Sequence, residues 1–181
     1  MTKPPAKRPT DTTTPPADTR QVLAEYAGYM LQLATRLREA ALDAQLAPAG
    51  LTITRLRVLA IIDRRKACNM GELAFLSSID RTTLTRTVDQ LTAQGLVERI
   101  TSPTDRRKVT LSLTAKGRSL HRKSQPAVAE VNRRVFTGVS DAQLGQMIVT
   151  LRQAIAAVVT DPRELDILVN FAASSRATVD I

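Results

Sequence analysis

Tryptophan is absent from this chain of 181 residues, aromatic residues make up only 3%, and there is one cysteine and one histidine. Each shortage excludes something. A single Cys and a single His cannot build a disulfide framework or a Cys/His zinc site within one chain, so no metal is expected. Sparse cysteine suits a reducing cytoplasm, the simplest address. The seven glycines form no phosphate-binding loop, and the Ser, His and acidic residues show no nucleophile elbow or triad signature. No catalytic residue and no cofactor are therefore expected. No apolar run approaches the length of a membrane span, and the first nineteen residues lack the apolar stretch of a secretory signal.

What is present is a hydrophobic fraction of 43%, with little aromatic content, and a formal net charge of +9. A core of Leu, Val, Ile and Ala in a chain of this length points to one mainly helical domain with extensions. The charge is concentrated in the middle. Residues 51–118 hold thirteen Lys or Arg against six Asp or Glu, a net +7, while 1–50 and 119–181 contribute +1 each. A locally basic domain suits a polyanion, most simply nucleic acid, because each phosphate contacted releases condensed counterions.

Residues 1–19 hold five of the nine prolines and six threonines without apolar periodicity, the composition of a disordered arm. From Arg20 the apolar positions Val22, Tyr26, Met30, Leu33, Leu37 and Ala41 recur at helical steps, up to the breakers Pro48 and Gly50 in "APAG". A second helix starts after Thr52 and is expected to bury Leu56, Leu59 and Ile62. A third, short one covers roughly Met70 to Ser77, where Asn69 and Glu72 form a capping box. A fourth runs from Asp80 as N-cap to about Gln94, with Gly95 ending it.

On this fourth helix Leu84, Val88 and Leu91 share one face, and Thr82, Arg86, Asp89 and Gln90 lie opposite, with Thr83 at the edge. Such a face can read base edges, since Arg pairs with guanine and Thr meets bases or the thymine methyl. Taken alone, such a face is more often an ordinary solvated surface. Two strands follow, Val97 to Thr101 and Val109 to Leu113, joined by the charged segment Asp105, Arg106, Arg107, Lys108. Thr114 then caps a long helix expected to kink or break near Pro126. Ser140 and Gln143 open another, whose Leu144, Ile148, Leu151, Ile155 and Val158 make a coiled-coil-like seam. A last helix, opened by Asp161, Pro162 and Glu164, is expected to bury Leu165, Leu168, Val169 and Phe171.

Three central helices followed by a hairpin with a basic tip make a winged helix-turn-helix. The stretches "LTITRLRVLAIID" and "MGELAFLSSIDRTTLTRTVDQLTAQGLVERITSPTDRRKVTLSLTAKG" resemble the DNA-binding core of the MarR (multiple-antibiotic-resistance regulator) family over about residues 51–118. The fold class expected is mainly α (α+β): a winged helix-turn-helix with N- and C-terminal helices forming a dimerisation platform, supplied by residues 20–50 and 119–181. The resemblance implies a homodimer on a pseudo-palindromic double-stranded DNA operator, acting as a repressor, and a small-molecule effector in many members. An aromatic acid is the effector class expected here.

The resemblance also assigns residues. It makes Thr82, Thr83, Thr85 and Arg86 the major-groove and backbone contacts of the recognition helix, with Arg81 at a phosphate near the helix N-terminus. Asp105 and Arg107 fill the Asp-x-Arg positions of the wing, the carboxylate orienting a guanidinium that enters the minor groove, and Arg106 and Lys108 touch phosphates. Arg55 stands where Gln is frequent. A nonspecific architectural DNA binder, or a winged-helix module that docks protein, would share the fold; the Thr/Arg face beside a basic wing favours DNA.

Three features stay open on sequence. Tyr26, Tyr29, Met30 and Leu33, with Leu56, form either an effector pocket, where Arg36, Arg38 or Arg57 would meet a carboxylate, or plain core. Cys68, beside Arg65 and Lys66, is either a thiol with a depressed pKa or an inert small hydrophobe. His121 lines a pocket or is an ordinary polar position.

Overall fold

The structure is a computed structural model and describes residues 19–101 and 109–173. Seven helices and two strands follow in order: α1 (Thr19–Leu46), α2 (Ile53–Arg65), α3 (Met70–Ser77), α4 (Arg81–Ala93), β1 (Val97–Thr101), β2 (Val109–Leu113), α5 (Ala115–Val135), α6 (Asp141–Val158) and α7 (Pro162–Ala173). A 3₁₀ turn, Ala47–Ala49, closes α1. The chain divides into two compact units, Met1–Ala40 and Ala41–Ile181, the boundary falling inside α1. The described part of the first unit is the initial stretch of α1. Along it Val22, Leu23, Tyr26, Tyr29, Met30, Leu31 and Leu37 are all exposed.

In the second unit, short polar side chains satisfy the backbone N–H groups that open each helix. The Thr52 hydroxyl accepts from Arg55 N, and the Asp43 carboxylate accepts from Ile53 N at 2.6 Å, so α2 has two caps. Asn69 and Glu72 close the capping box of α3, and Asp80 accepts from Thr83 N at 2.9 Å to start α4. Ser140 and Gln143 do the same for α6. These caps fix where the helices begin, and the apolar faces behind them fix how they pack.

The core joins the last turns of α1 (Leu42, Leu46) to α2 (Val58, Leu59, Ile62), α3 (Leu73), α4 (Leu84, Val88, Leu91) and the hairpin (Val97, Leu111, Leu113). The strands pair antiparallel in the register Val97↔Leu113 to Thr101↔Val109. Leu111 and Leu113 point into the core, whereas Ile100 and Val109 are exposed, because the hairpin leaves the core as it extends. Cys68, between α2 and α3, makes an isolated antiparallel bridge to β2, donating to Leu111 O at 3.2 Å and accepting from Leu111 N at 2.7 Å.

The junction of hairpin and α5 is tight. Thr114 caps α5 by accepting from Gly117 N, and its hydroxyl donates to Gly95 O at 2.7 Å. A Cβ on Gly117 would lie 2.0 Å from Leu96 O, so this position must be glycine. Gly95, with φ 66°, takes the left-handed conformation that releases the chain from α4 into β1.

Two expectations are corrected. Helix α5 is not interrupted at Pro126, the second of the two alternatives of a kink or a break, since a proline removes one donor and the bonds of the flanking turns persist. In α7, Leu165 and Leu168 are half-buried and not buried. Phe171 is also half-buried, and it alone of that stripe joins the central core, while the Val169 side chain lies outside the described residues.

Candidate nucleic-acid interface

The face of α4 away from the core presents Arg81, Thr82, Thr83, Thr85, Arg86, Asp89 and Gln90, all exposed, while Leu84, Thr87, Val88 and Leu91 are buried. The threonines divide by what their hydroxyls do. Thr85 donates to Arg81 O and Thr87 to Thr83 O, both at 2.8 Å, turning those hydroxyl protons into the helix backbone. Thr83 serves the cap: its N–H, followed by its hydroxyl, holds the Asp80 carboxyl below the ordinary carboxylate range. The Thr82 hydroxyl has no such engagement among the described residues, which leaves it and the adjoining methyl for a partner.

The cations of the basic middle divide in the same way. Arg55 donates to Gly50 O at 2.7 Å and to the Gln94 side chain; Lys116 reaches Gln94 O at 2.9 Å. The C-terminal end of α4, where backbone carbonyls carry partial negative charge, is thus held by one cation from α2 and one from α5. Arg57 donates to Ser77 O at the end of α3, and Arg118 to Leu113 O. Arg65 pairs with Glu72 at 3.3 Å and Arg99 with Asp89 at 2.5 Å. Arg64 lies 4.4 Å over the Phe171 ring and donates to Phe171 O, tying α7 to α2. Among the described residues of 51–118, Lys66, Arg81 and Arg86 are the cations without a protein partner.

Asp105, Arg106, Arg107 and Lys108 lie outside the described residues. Tyr26, Tyr29 and Met30 are exposed and Leu33 half-buried on α1 in the first unit, whereas Leu56 belongs to the core of the second, with 5% of its surface exposed. Cys68 is buried, and burial first, then the nearby Glu72 charge, push its thiol up to about 11 against the opposing pull of Arg65. Of the two readings of Cys68, the inert small hydrophobe fits and the depressed thiol does not: desolvation outweighs Arg65. His121 Nδ1 sits 3.3 Å from Asp63 Oδ2, linking α5 to α2 without the alignment of a hydrogen bond, and its Nε2 meets the Gln125 amide at 2.9 Å. Among the described residues no group of three or more His, Cys, Asp or Glu could hold a metal ion, and no single helix is long and apolar enough to cross a membrane.

Sequence reasoning missed Arg99, Gln94 and Lys116. Their partners lie on other elements, and no local motif marks such pairs.

A helix-turn-helix with an exposed Thr/Arg second helix, followed at once by a two-stranded hairpin, narrows the comparison. Residues 51–109 match the model described as "MarR family". Over those residues the chain is similar to the MarR family. This is a non-enzymatic family of winged helix-turn-helix transcriptional regulators. A putative transcriptional regulatory protein for the hcr operon of Thauera aromatica is 31% identical over 104 residues, which cover 58% of this chain and 63% of the relative. The chain thus spans under two thirds of that regulator's length. Among solved structures, Bordetella bronchiseptica BpsR, whose DNA binding is regulated by 6-hydroxynicotinic acid, is 26% identical with a TM-score of 0.66, covering 71% of this chain and 98% of BpsR. A cysteine-to-serine mutant of MarR from E. coli, complexed with operator DNA, is similar in fold with a TM-score of 0.65 at 23% identity, covering 70% of this chain and 91% of that one.

Proposed function

We propose that this protein is a MarR-type, sequence-specific DNA-binding repressor that occupies a pseudo-palindromic operator as a homodimer, with α4 in the major groove and the hairpin alongside it. The observation that carries this reading is the division of the cations. Seven of the described Lys and Arg in residues 51–118 are spent on holding the domain together, and of the three left over, two stand on the outward face of α4. A domain gains nothing in stability from two unpaired arginines on a helix, whereas phosphates and guanine edges bind them strongly.

Two copies are favoured by α6, which has no buried residue although it carries Met147, Ile148, Val149, Ile155 and Val158, the last with 79% of its surface exposed. An apolar seam left this open is suited to a second copy of the same helix. Two lobes on one face of the duplex would then read half-sites centred about one helical turn apart. The aromatic acid that regulates BpsR makes a small aromatic acid the effector class to try first on this chain.

Selection of binding sites from fragmented genomic DNA tests the reading. Recovery of a shared palindromic sequence supports it. Uniform retention of all fragments would replace it with nonspecific architectural binding, and no retention with a protein-docking role.

A further inference from the structure

Residues 80–94 contain two carboxylates, Asp80 and Asp89, and two guanidiniums, Arg81 and Arg86. In an isolated helix one carboxylate and one guanidinium of these are spaced to pair. The positions three and four residues on either side of Asp89 are Thr85, Arg86, Thr92 and Ala93, so Arg86 is the one intrahelical cation within its reach. The same count around Arg86 gives Thr82, Thr83, Asp89 and Gln90, so Asp89 is the one carboxylate within reach of Arg86. Both side chains are exposed, on the same face, and the pair nevertheless does not form.

Each carboxylate is engaged elsewhere. Asp80 accepts from Thr83 N at 2.9 Å as the helix cap. Asp89 is taken by Arg99 Nη2 at 2.5 Å, from strand β1, across the junction of recognition helix and hairpin. Both members of this ion pair are about half exposed, with 43% and 54% of their side-chain surface accessible, so its net contribution to stability is small. Its consequence for charge is larger. A free carboxylate on a face meant for phosphates would repel them and would also quench the nearest arginine.

We propose that Arg99 is a positioning residue for DNA recognition: by holding Asp89 from the hairpin, it keeps that carboxylate off Arg86 and leaves Arg86 available to DNA. The inference rests on α4 being the DNA-contacting helix. It goes further by assigning to the first strand of the hairpin a role in arming the recognition helix, separate from any contact the hairpin makes itself.

The experiment is a set of affinities for one selected duplex, measured by fluorescence anisotropy at fixed salt. Arg99→Ala is expected to weaken binding about tenfold, and Arg99→Lys, which can still hold Asp89, by less than about twofold. Adding Asp89→Asn to Arg99→Ala is expected to recover most of the loss. In an Arg86→Ala background, Arg99→Ala should cost under about twofold, because the group it protects is gone. Undiminished binding by Arg99→Ala would overturn the proposal. So would an equal loss in the Arg86→Ala background with no recovery from Asp89→Asn, which would mean that Arg99 contacts DNA directly. The Arg86 side-chain Nε–Hε resonance gives a readout without DNA: it should shift on Arg99→Ala and return on adding Asp89→Asn. A protein that selects no DNA but shows this shift would refute the functional reading and retain the ion-pair exchange; an Arg86 resonance indifferent to Arg99 refutes the exchange itself.

Discussion

The lobe built from α2, α3, α4 and the hairpin and the helix α6 are made from similar residues and treat them in opposite ways. In the lobe, Leu59, Ile62, Leu73, Leu84, Val88 and Leu91 each have no exposed surface, and most cations find a carbonyl or carboxylate of the same chain. In α6 nothing is buried, and Ile148, Val149 and Ile155 each expose more than a third of their surface. One region is complete within a single chain. The other has an apolar face whose burial requires something outside it. On the proposed function, the side chains left unsatisfied by their own chain are the ones that meet partners, and they differ in kind: cations and hydroxyls on α4, hydrocarbon on α6.

This contrast can be broken at its strongest point first. Leu59→Ala opens a cavity in the closed core and is expected to lower unfolding stability by about 2–5 kcal/mol, read from the urea midpoint at constant m-value. Ile148→Ala removes comparable hydrocarbon from the open seam. At protein concentrations where the chain is fully dissociated, its cost should fall within about 0.5 kcal/mol. A cost similar to that of Leu59→Ala would show that α6 is part of the self-contained core after all.

The next effect concerns the two unpaired arginines. Arg86→Ala is expected to cost about 1–3 kcal/mol in affinity for a selected site, and Arg81→Ala somewhat less, with a shallower dependence of affinity on salt. Neither should move the thermal midpoint, because neither side chain holds any described group in place. A lowered midpoint would place these arginines with the structural cations of the lobe.

The smallest effect is at Cys68, a residue of the closed region. Its thiol titrates at about 11 in the folded protein and near 8.5 when unfolded. The unfolded chain therefore loses this proton first as pH rises, so the contribution of Cys68 to stability is intact below about pH 8.5 and declines between there and about 11. Cys68→Ala should flatten that part of the stability profile. At pH 8 the native thiol should react with a disulfide reagent far more slowly than in urea; equal rates would mean that Cys68 is not enclosed by the sheet.

Much of the lobe was legible in the sequence because its decisive chemistry is local. A cap and its N3 partner are three residues apart, so Asn69 with Glu72, Asp80 with Thr83, Thr114 with Gly117 and Ser140 with Gln143 could be read along the chain. The alternation of Val109, Leu111 and Leu113 announced a strand in the same way. Contacts between elements carry no such signal. Arg55 meets Gln94 at a separation of 39 residues and Arg64 meets Phe171 at 107, and nothing at either end names the other. Arg99 illustrates the limit well. In sequence it is one more charge in a basic stretch, and its part in clearing Asp89 from the reading face exists only once β1 lies against α4.

The site was legible as a face, by helical periodicity, but not as a division of labour within it. Which threonine hydroxyls are turned inward and which arginines are spoken for depends on the folded backbone. Cys68 shows the same dependence: in sequence an activated thiol and an inert one were both open, and burial in the folded chain decides for the inert one.

The central claim is that a self-contained lobe reads DNA and that the open helices bring two such lobes together. Footprinting of a selected site, combined with sedimentation of the same complex, tests both parts at once. The account predicts two chains per site and two protected half-sites centred about 10 base pairs apart on one face of the duplex. One chain per site, or protection that follows no sequence, would contradict it.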